Sequence, residues 1–162
     1  MKNIFSLLPV LLLSGCALFV APQVNEFDLA VKHHPGTAFR VAAVRNLSHS
    51  GQRFLLRSGA KLTRDPYNIW TSEPGTLICN ALNRIGSSDP SAAVFICDVE
   101  RFEVDLYEKF FRISGSFRRQ GTARNTPFDI TVPLENNSSE SIVSAASSAV
   151  EKLAELLRKN QR

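Results

Sequence analysis

Ala92-Ala93-Val94-Phe95-Ile96-Cys97-Asp98-Val99-Glu100-Arg101-Phe102-Glu103-Val104-Asp105-Leu106 alternates apolar and polar residues twice, and the two runs are out of phase. Ala93, Phe95, Cys97 and Val99 share one parity; Phe102, Val104 and Leu106 share the other. Successive side chains of a strand point to opposite faces, so a regular strand would bury one set and strand the other in water. One extra residue near Glu100-Arg101 brings both sets to the same face, and the stretch therefore predicts a long strand carrying a β-bulge.

The flanking segments follow the same period. Phe111, Ile113 and Phe117 form the next inward row, and Phe128, Ile130, Val132 and Leu134 the last. Alternation of this kind gives a sheet one buried and one wetter face, which calls for antiparallel pairing in the second half of the chain. Earlier, Phe39, Val41 and Ala43 are expected on one face of a strand over 38–44. Gln52–Arg57 and Lys61–Arg64 read as a hairpin around Ser58-Gly59.

Helical spacing appears twice. Leu77, Ile78, Ala81, Leu82 and Ile85 make one stripe, with Ser72 as the expected cap, Pro74 in the first turn and Gly86 at the end. The second stripe holds Ile142, Val143, Ala146, Ala149, Val150, Leu153, Leu156 and Leu157. Asn137 with Glu140 is its expected start, and Arg158 and Lys159 suit the negative end of its dipole. The fold class is α+β: a mixed, largely antiparallel sheet with two amphipathic helices packed on it.

The N-terminus carries a different signal. Lys2 is followed by an apolar run from Ile4 to Leu13 and then by Leu13-Ser14-Gly15-Cys16. The run is shorter than the ~20 residues a membrane-spanning helix needs, whereas charge, apolar run, small residues and cysteine in that order make a lipoprotein signal. Residues 1–15 are the expected signal peptide and Cys16 the expected lipidation site. Residues 16–25 then form a tether and 26–162 a single domain. Acyl chains contribute ~0.8 kcal/mol per buried CH₂, so the two or three on such a cysteine hold a protein on its membrane. Ala17, where an aspartate usually retains lipoproteins of diderm bacteria at the inner membrane, favours the periplasmic face of the outer one.

Charge and motifs narrow the chemistry. The net charge of +4 on 162 residues suits an anionic membrane surface and is too weak and dispersed to argue for nucleic acid. No phosphate loop, nucleophile elbow or zinc-protease motif occurs. His33-His34 before Pro35-Gly36 reads as a solvated turn rather than a metal site, since adjacent residues rarely aim at one ion. His49, within Ser48-His49-Ser50, is the one catalytic histidine a hydrolase reading could use. Asp98, Glu100, Glu103 and Asp105 fit solvent-facing strand positions better than paired catalytic carboxylates. Arg112, Arg118, Arg119 and Arg124 can guard exposed strands against aggregation or meet anionic head groups or an acidic partner. Cys79 and Cys97 can form a disulfide in an oxidising periplasm or be two separate buried thiols, and the sequence leaves both open. Neither enzymatic activity, a metal nor a cofactor is implied.

From residue 41 onward the chain resembles the ABC-type transport auxiliary lipoproteins, the family that contains the paraquat-inducible protein C-like lipoproteins. The resemblance runs through Val41-Ala42-Ala43-Val44, Gln52-Arg53-Phe54-Leu55-Leu56-Arg57 and Asp65-Pro66-Tyr67-Asn68-Ile69-Trp70, then Pro74 and the first helix. It continues in a late strand pair and an Ala-rich C-terminal helix. Thr71-Ser72-Glu73-Pro74 is one residue longer than the usual family spacing. The resemblance implies a non-catalytic accessory of a transport system whose substrate-binding subunit carries an MCE domain, moving lipid between membranes. A homo-oligomeric ring is implied as well. Tyr67, Trp70 and Pro74 are then candidate partner-binding or family-motif positions, with Trp70 also expected in the core beside a helix start. The alternative is an envelope-assembly lipoprotein acting as plug or chaperone for an outer-membrane protein.

Overall fold

The computed structural model describes residues 23–32 and 39–161. Cys16, Ala17 and the His33-His34 pair lie outside the described residues. Along the chain run β1 (Asn25–Phe27), β2 (Phe39–Asn46), β3 (Arg53–Ser58), β4 (Lys61–Trp70), α1 (Pro74–Ile85), β5 (Ala93–Asp105), β6 (Phe110–Arg119), β7 (Thr126–Pro133) and α2 (Ser139–Lys159). The fold is α+β, with a mixed sheet of seven strands and two helices among the described residues.

β5 is the axis of the sheet. β6 pairs along its length, while the opposite edge is shared: β2 pairs in parallel with residues 93–99 and β3 with Val104 and Asp105. β4 follows antiparallel to β3, β1 lies parallel to β4, and β7 closes the other side antiparallel to β6. The expected antiparallel second half is therefore β5–β6–β7.

The bulge in β5 lies where the parity change demands it. Val99 faces Gly115 and Arg101 faces Ser114, leaving Glu100 as the extra residue. Phe95, Cys97, Val99, Phe102 and Val104 consequently all reach one core. Gly115 lets the strands meet there, because a Cβ at that position would overlap the Asp98 carbonyl oxygen.

A second bulge corrects the expectation for β2. Phe39 and Val41 are buried, but Ala43 is exposed and Val44 packs on the core instead. Ala42 is the extra residue: Val41 faces Phe95 and Ala43 faces Ile96, so the parity flips between them. α1 lies against this strand. The Asn83 amide accepts from Val41 N–H and donates to its carbonyl, each at 3.0 Å, filling backbone positions that no strand occupies. A Cβ on Gly75 would come 2.8 Å from the Val44 oxygen, and one on Gly86 2.6 Å from that of Phe39. Only glycines permit so close a helix.

Both helix starts shift by one residue from the expected caps. Glu73, not Ser72, is the N-cap of α1, because Pro74 fits N1, where its missing N–H costs nothing. Ser138, not Asn137, caps α2; its hydroxyl accepts from Ser141 N–H at 3.2 Å. Ser141 Oγ in turn accepts from the backbone of Glu135 and Asn136, fixing the approach to the helix.

The end of the expected tether is structured. Asn25 already belongs to β1, and the chain beyond it is held by Ala30 N–H to Ser147 Oγ (2.9 Å), Lys32 N–H to Glu151 (2.8 Å) and an Asp28–Arg84 ion pair. Leu29 is buried between these ties.

Replacing Gly115 with Ala is expected to cost more than the about 1–3 kcal/mol of ordinary overpacking, because the clash is with backbone and cannot relax by a rotamer change. Thermal unfolding of Gly115→Ala beside Gly51→Ala, where a Cβ meets nothing within 4 Å, measures this. Equal midpoints would show that the strands do not depend on the glycine.

Candidate functional site

The Asp-Pro-Tyr-Asn stretch is where the structure presents an aromatic side chain on a braced loop. β3 has only Phe54 between Arg53 and Leu55, whereas their partners Ile69 and Arg64 are separated by Asp65, Pro66, Tyr67 and Asn68. Pro66 has no N–H to give the ladder, so the surplus residues of β4 bulge away from β3 as a protrusion, while Asn68 still pairs with Asn25 of β1. Asp65 closes it: Oδ1 accepts from Tyr67 N–H (2.8 Å) and Asn68 N–H (3.1 Å), and Oδ2 from Asn68 Nδ2 (2.8 Å). Arg53 Nη1 braces it from below, donating to the carbonyls of Asp65 (3.1 Å) and Pro66 (2.6 Å). Asn25 of β1 adds a bond to Asn68.

The three motif positions have separate fates. Tyr67 is 52 % exposed on the protrusion, while Trp70 is 1 % exposed. The indole packs on Phe54 (centroids 4.2 Å) and Phe102 (5.3 Å), as the core expectation had it. Pro74 is buried at the start of α1. Tyr67 is thus the member of the motif free to meet another molecule, and a tyrosine held with its ring in water suits an interface. A shallow groove of about 540 Å³ adjoins the protrusion, lined by Val24, Glu26, Gly51, Gln52, Arg53, Arg64 and Ile69.

The other candidates do not converge on it. His49 is exposed, and its carbonyl accepts from Arg64 Nη2 at 3.0 Å. The neighbouring hydroxyls of Ser48 and Ser50 bond each other, and Ser48 Oγ also donates to Asn46 Oδ1 at 2.5 Å. The acidic residues of β5 face away from the helices but are not all solvated, a correction to the expectation. Glu103 is only 4 % exposed and binds Arg57 through both oxygens, at 2.7 and 3.0 Å. Asp98 pairs with Arg45, and Asp105 Oδ1 accepts from Tyr107 and Glu108 N–H to set the β5–β6 turn. Arg112 bonds Asp129 with two nitrogens, and that guanidinium holds the Asp129 carboxyl below its usual range. Arg112, expected in a basic cluster, is thereby engaged. Among the described residues no group of three His, Cys, Asp or Glu is placed to hold a metal.

Cys79 and Cys97 are both free thiols, the first half-buried on α1 and the second fully buried on β5. Burial, then the nearby Cys79 and Asp98, pushes the Cys97 thiol up to about 12; burial raises Cys79 as well. The neutral thiol is the form the fold favours.

Asp65, Asn68 and Arg53 lie in the stretches that carry the family resemblance, but were assigned no role in holding Tyr67. Their signal was Asp-Pro followed by Asn, a turn-forming combination inside what otherwise reads as strand.

No family model matches the chain, and no curated protein matches it in sequence. Several solved structures share the fold, among them two that align over most of this chain. One, described as an uncharacterized protein, aligns at TM-score 0.67 and 15 % identity over 85 % of this chain and 97 % of that one. The other is a Xanthomonas campestris protein described by the family model DUF330, at TM-score 0.59 and 13 % identity over 83 % and 92 %. Identities this low speak for architecture only.

Trp70→Ala is expected to cost about 3–5 kcal/mol in chemical denaturation, and Tyr67→Ala to stay within about 0.5 kcal/mol of the parent as an exposed site does. A large loss at Tyr67 would show that the protrusion is part of the core. Cys97 makes stability depend on alkali: above the ordinary thiol range the unfolded chain releases a proton that the folded one keeps, so stability falls as pH rises from about 9 towards 12. A Cys97→Ala variant, compared with the parent over that range, should lose this component of the slope.

Proposed function

We propose that this chain is a lipid-anchored envelope protein that serves as a non-catalytic accessory of an ABC transport system with an MCE-domain subunit. In this reading it is held at the periplasmic face of the outer membrane and meets its partner through the Tyr67 protrusion. The observation that carries the reading is the division of the family-like motif, with Trp70 locked in the core and Tyr67 offered to solvent on a loop braced by Asp65 and Arg53. A side chain already fixed in place loses little entropy on binding.

Three further features support it. The ordered Lys2, apolar run and Leu13-Ser14-Gly15-Cys16 argue for acylation at Cys16. β1 begins at Asn25 beside Asn68, so few residues separate that cysteine from the Tyr67 region. At ~3.3–3.6 Å per extended residue, the intervening segment reaches about 30 Å. The sheet also ends in backbone edges that no described strand covers, at β7 and along Lys61–Arg64 of β4. Such edges give copies of the chain a means of ring assembly.

The test is co-purification from membranes. The parent chain should incorporate labelled palmitate and carry an MCE-domain protein with it. Cys16→Ala should lose the label and leave the membrane fraction. Recovery of a β-barrel protein in place of an MCE protein would favour the plug or chaperone reading, and an unlabelled parent chain would remove the anchor.

A further inference from the structure

At the end of the sheet remote from the β5–β6 turn, β6 stops, β7 begins and α2 terminates, and their residues form a groove of about 160 Å³. Phe95 and Phe117 floor it, and Arg119, Thr122, Arg124, Thr126 and Asn160 rim it. We propose that this groove binds a phosphate-bearing group, either a phospholipid head group or a small free organic phosphate.

Neither arginine is neutralised by an ion pair: among the described residues, Arg119 and Arg124 both lie beyond ion-pair distance of any carboxylate, unlike Arg45, Arg57, Arg84 and Arg112. β7 pairs with β6 only as far as Phe117, so Arg119 stands at the open end of the strand, on the rim of the groove. No carboxylate lines the groove, so its field is positive.

Donors are available and the main source of repulsion is covered. Arg119 uses one N–H on the Gln161 carbonyl, at 3.0 Å, leaving the rest of its fork for an oxyanion. The last carbonyls of a helix would repel an anion. Here Asn160 covers two of them, its Nδ2 donating to Leu156 O (2.8 Å) and its N–H to Leu157 O (3.1 Å). Beside it, Gln161 Nε2 is the one buried side-chain polar atom without a partner among the described residues. The carbonyl of the same residue holds Arg119, so the unsatisfied amide belongs to the residue that anchors the first guanidinium of the groove. The volume lies below the ~300–1,000 Å³ of pockets that enclose drug-sized ligands, so a head group fits and a whole lipid does not. The aromatic floor suits the carbon framework next to the phosphate.

The experiment is calorimetric titration of the full chain in non-ionic detergent with glycerol 3-phosphate and, separately, with dihexanoyl phosphatidylglycerol below its micelle concentration. Saturable binding of at least one probe is expected. Arg119→Gln with Arg124→Gln should weaken it about tenfold or more. Arg158→Gln with Lys159→Gln removes the same charge from the same end of α2 and should leave it unchanged. Tighter binding of the short-chain lipid identifies a membrane source, and equal or tighter binding of glycerol 3-phosphate a soluble one. Absence of saturable binding to both probes, or equal losses in the two double variants, overturns the proposal. Should the first double variant fail to fold, Arg124→Gln alone, on an exposed turn, reads the same loss. None of these outcomes depends on the partner proposed above.

Discussion

The structure depends on the single extra residue in β5. Two aromatic files hang from this strand, one on each side of the bulge. Phe39, Phe95, Phe117 and Phe128 form the first, with neighbouring centroids 5.8–6.5 Å apart. Phe27, Phe54, Trp70, Phe102 and Phe111 form the second, at 4.2–5.4 Å. Without Glu100, Phe102 and Val104 would point into water while Glu103 and Asp105 turned inward. The bulge therefore decides which side of the sheet the helices cover. Its counterpart in β2 obeys the same rule, with Asn83 of α1 taking up the backbone groups of Val41.

The face opposite the helices is organised by charge. Arg45–Asp98, Arg57–Glu103 and Arg112–Asp129 run across neighbouring strands, each pair placed so that opposite signs meet. The two more exposed of these, Arg45–Asp98 and Arg112–Asp129, contribute little to stability individually. The consequence of the three is rather that Arg45, Arg57 and Arg112 are neutralised. Arg119 and Arg124 stand apart from these pairs, at the rim of a groove that no carboxylate lines.

Much of the fold was legible because the strongest signals are periodic. The phase change at Glu100-Arg101, the inward rows of β6 and β7, and both helical stripes follow from residue spacing alone. What escaped was set by contacts distant in sequence. Ala43 looked inward because a β2 bulge leaves no local mark; Asn83, which binds the Val41 backbone beside it, lies some forty residues on. The parallel pairing of β1 with β4 cannot be read from a three-residue strand. Glu103 looked solvated because Arg57 lies far off in the chain. At the candidate site, Trp70 was expected in the core, whereas the bracing of Tyr67 by Arg53 needed the register of the β3–β4 hairpin. The groove residues Thr122, Thr126 and Asn160 come from three separate segments, and only Arg119 and Arg124 had stood out.

Function turns on whether the braced aromatic is a contact point. A photo-activatable phenylalanine analogue at position 67 of the full chain, irradiated in intact cells, tests this most directly, with position 107 as control because Tyr107 is still more exposed, at 76 %. The account predicts a strong cross-link from position 67 to an MCE-domain protein and little from position 107. Equal, diffuse cross-linking at the two positions, or none to any envelope transport component from 67, would contradict it.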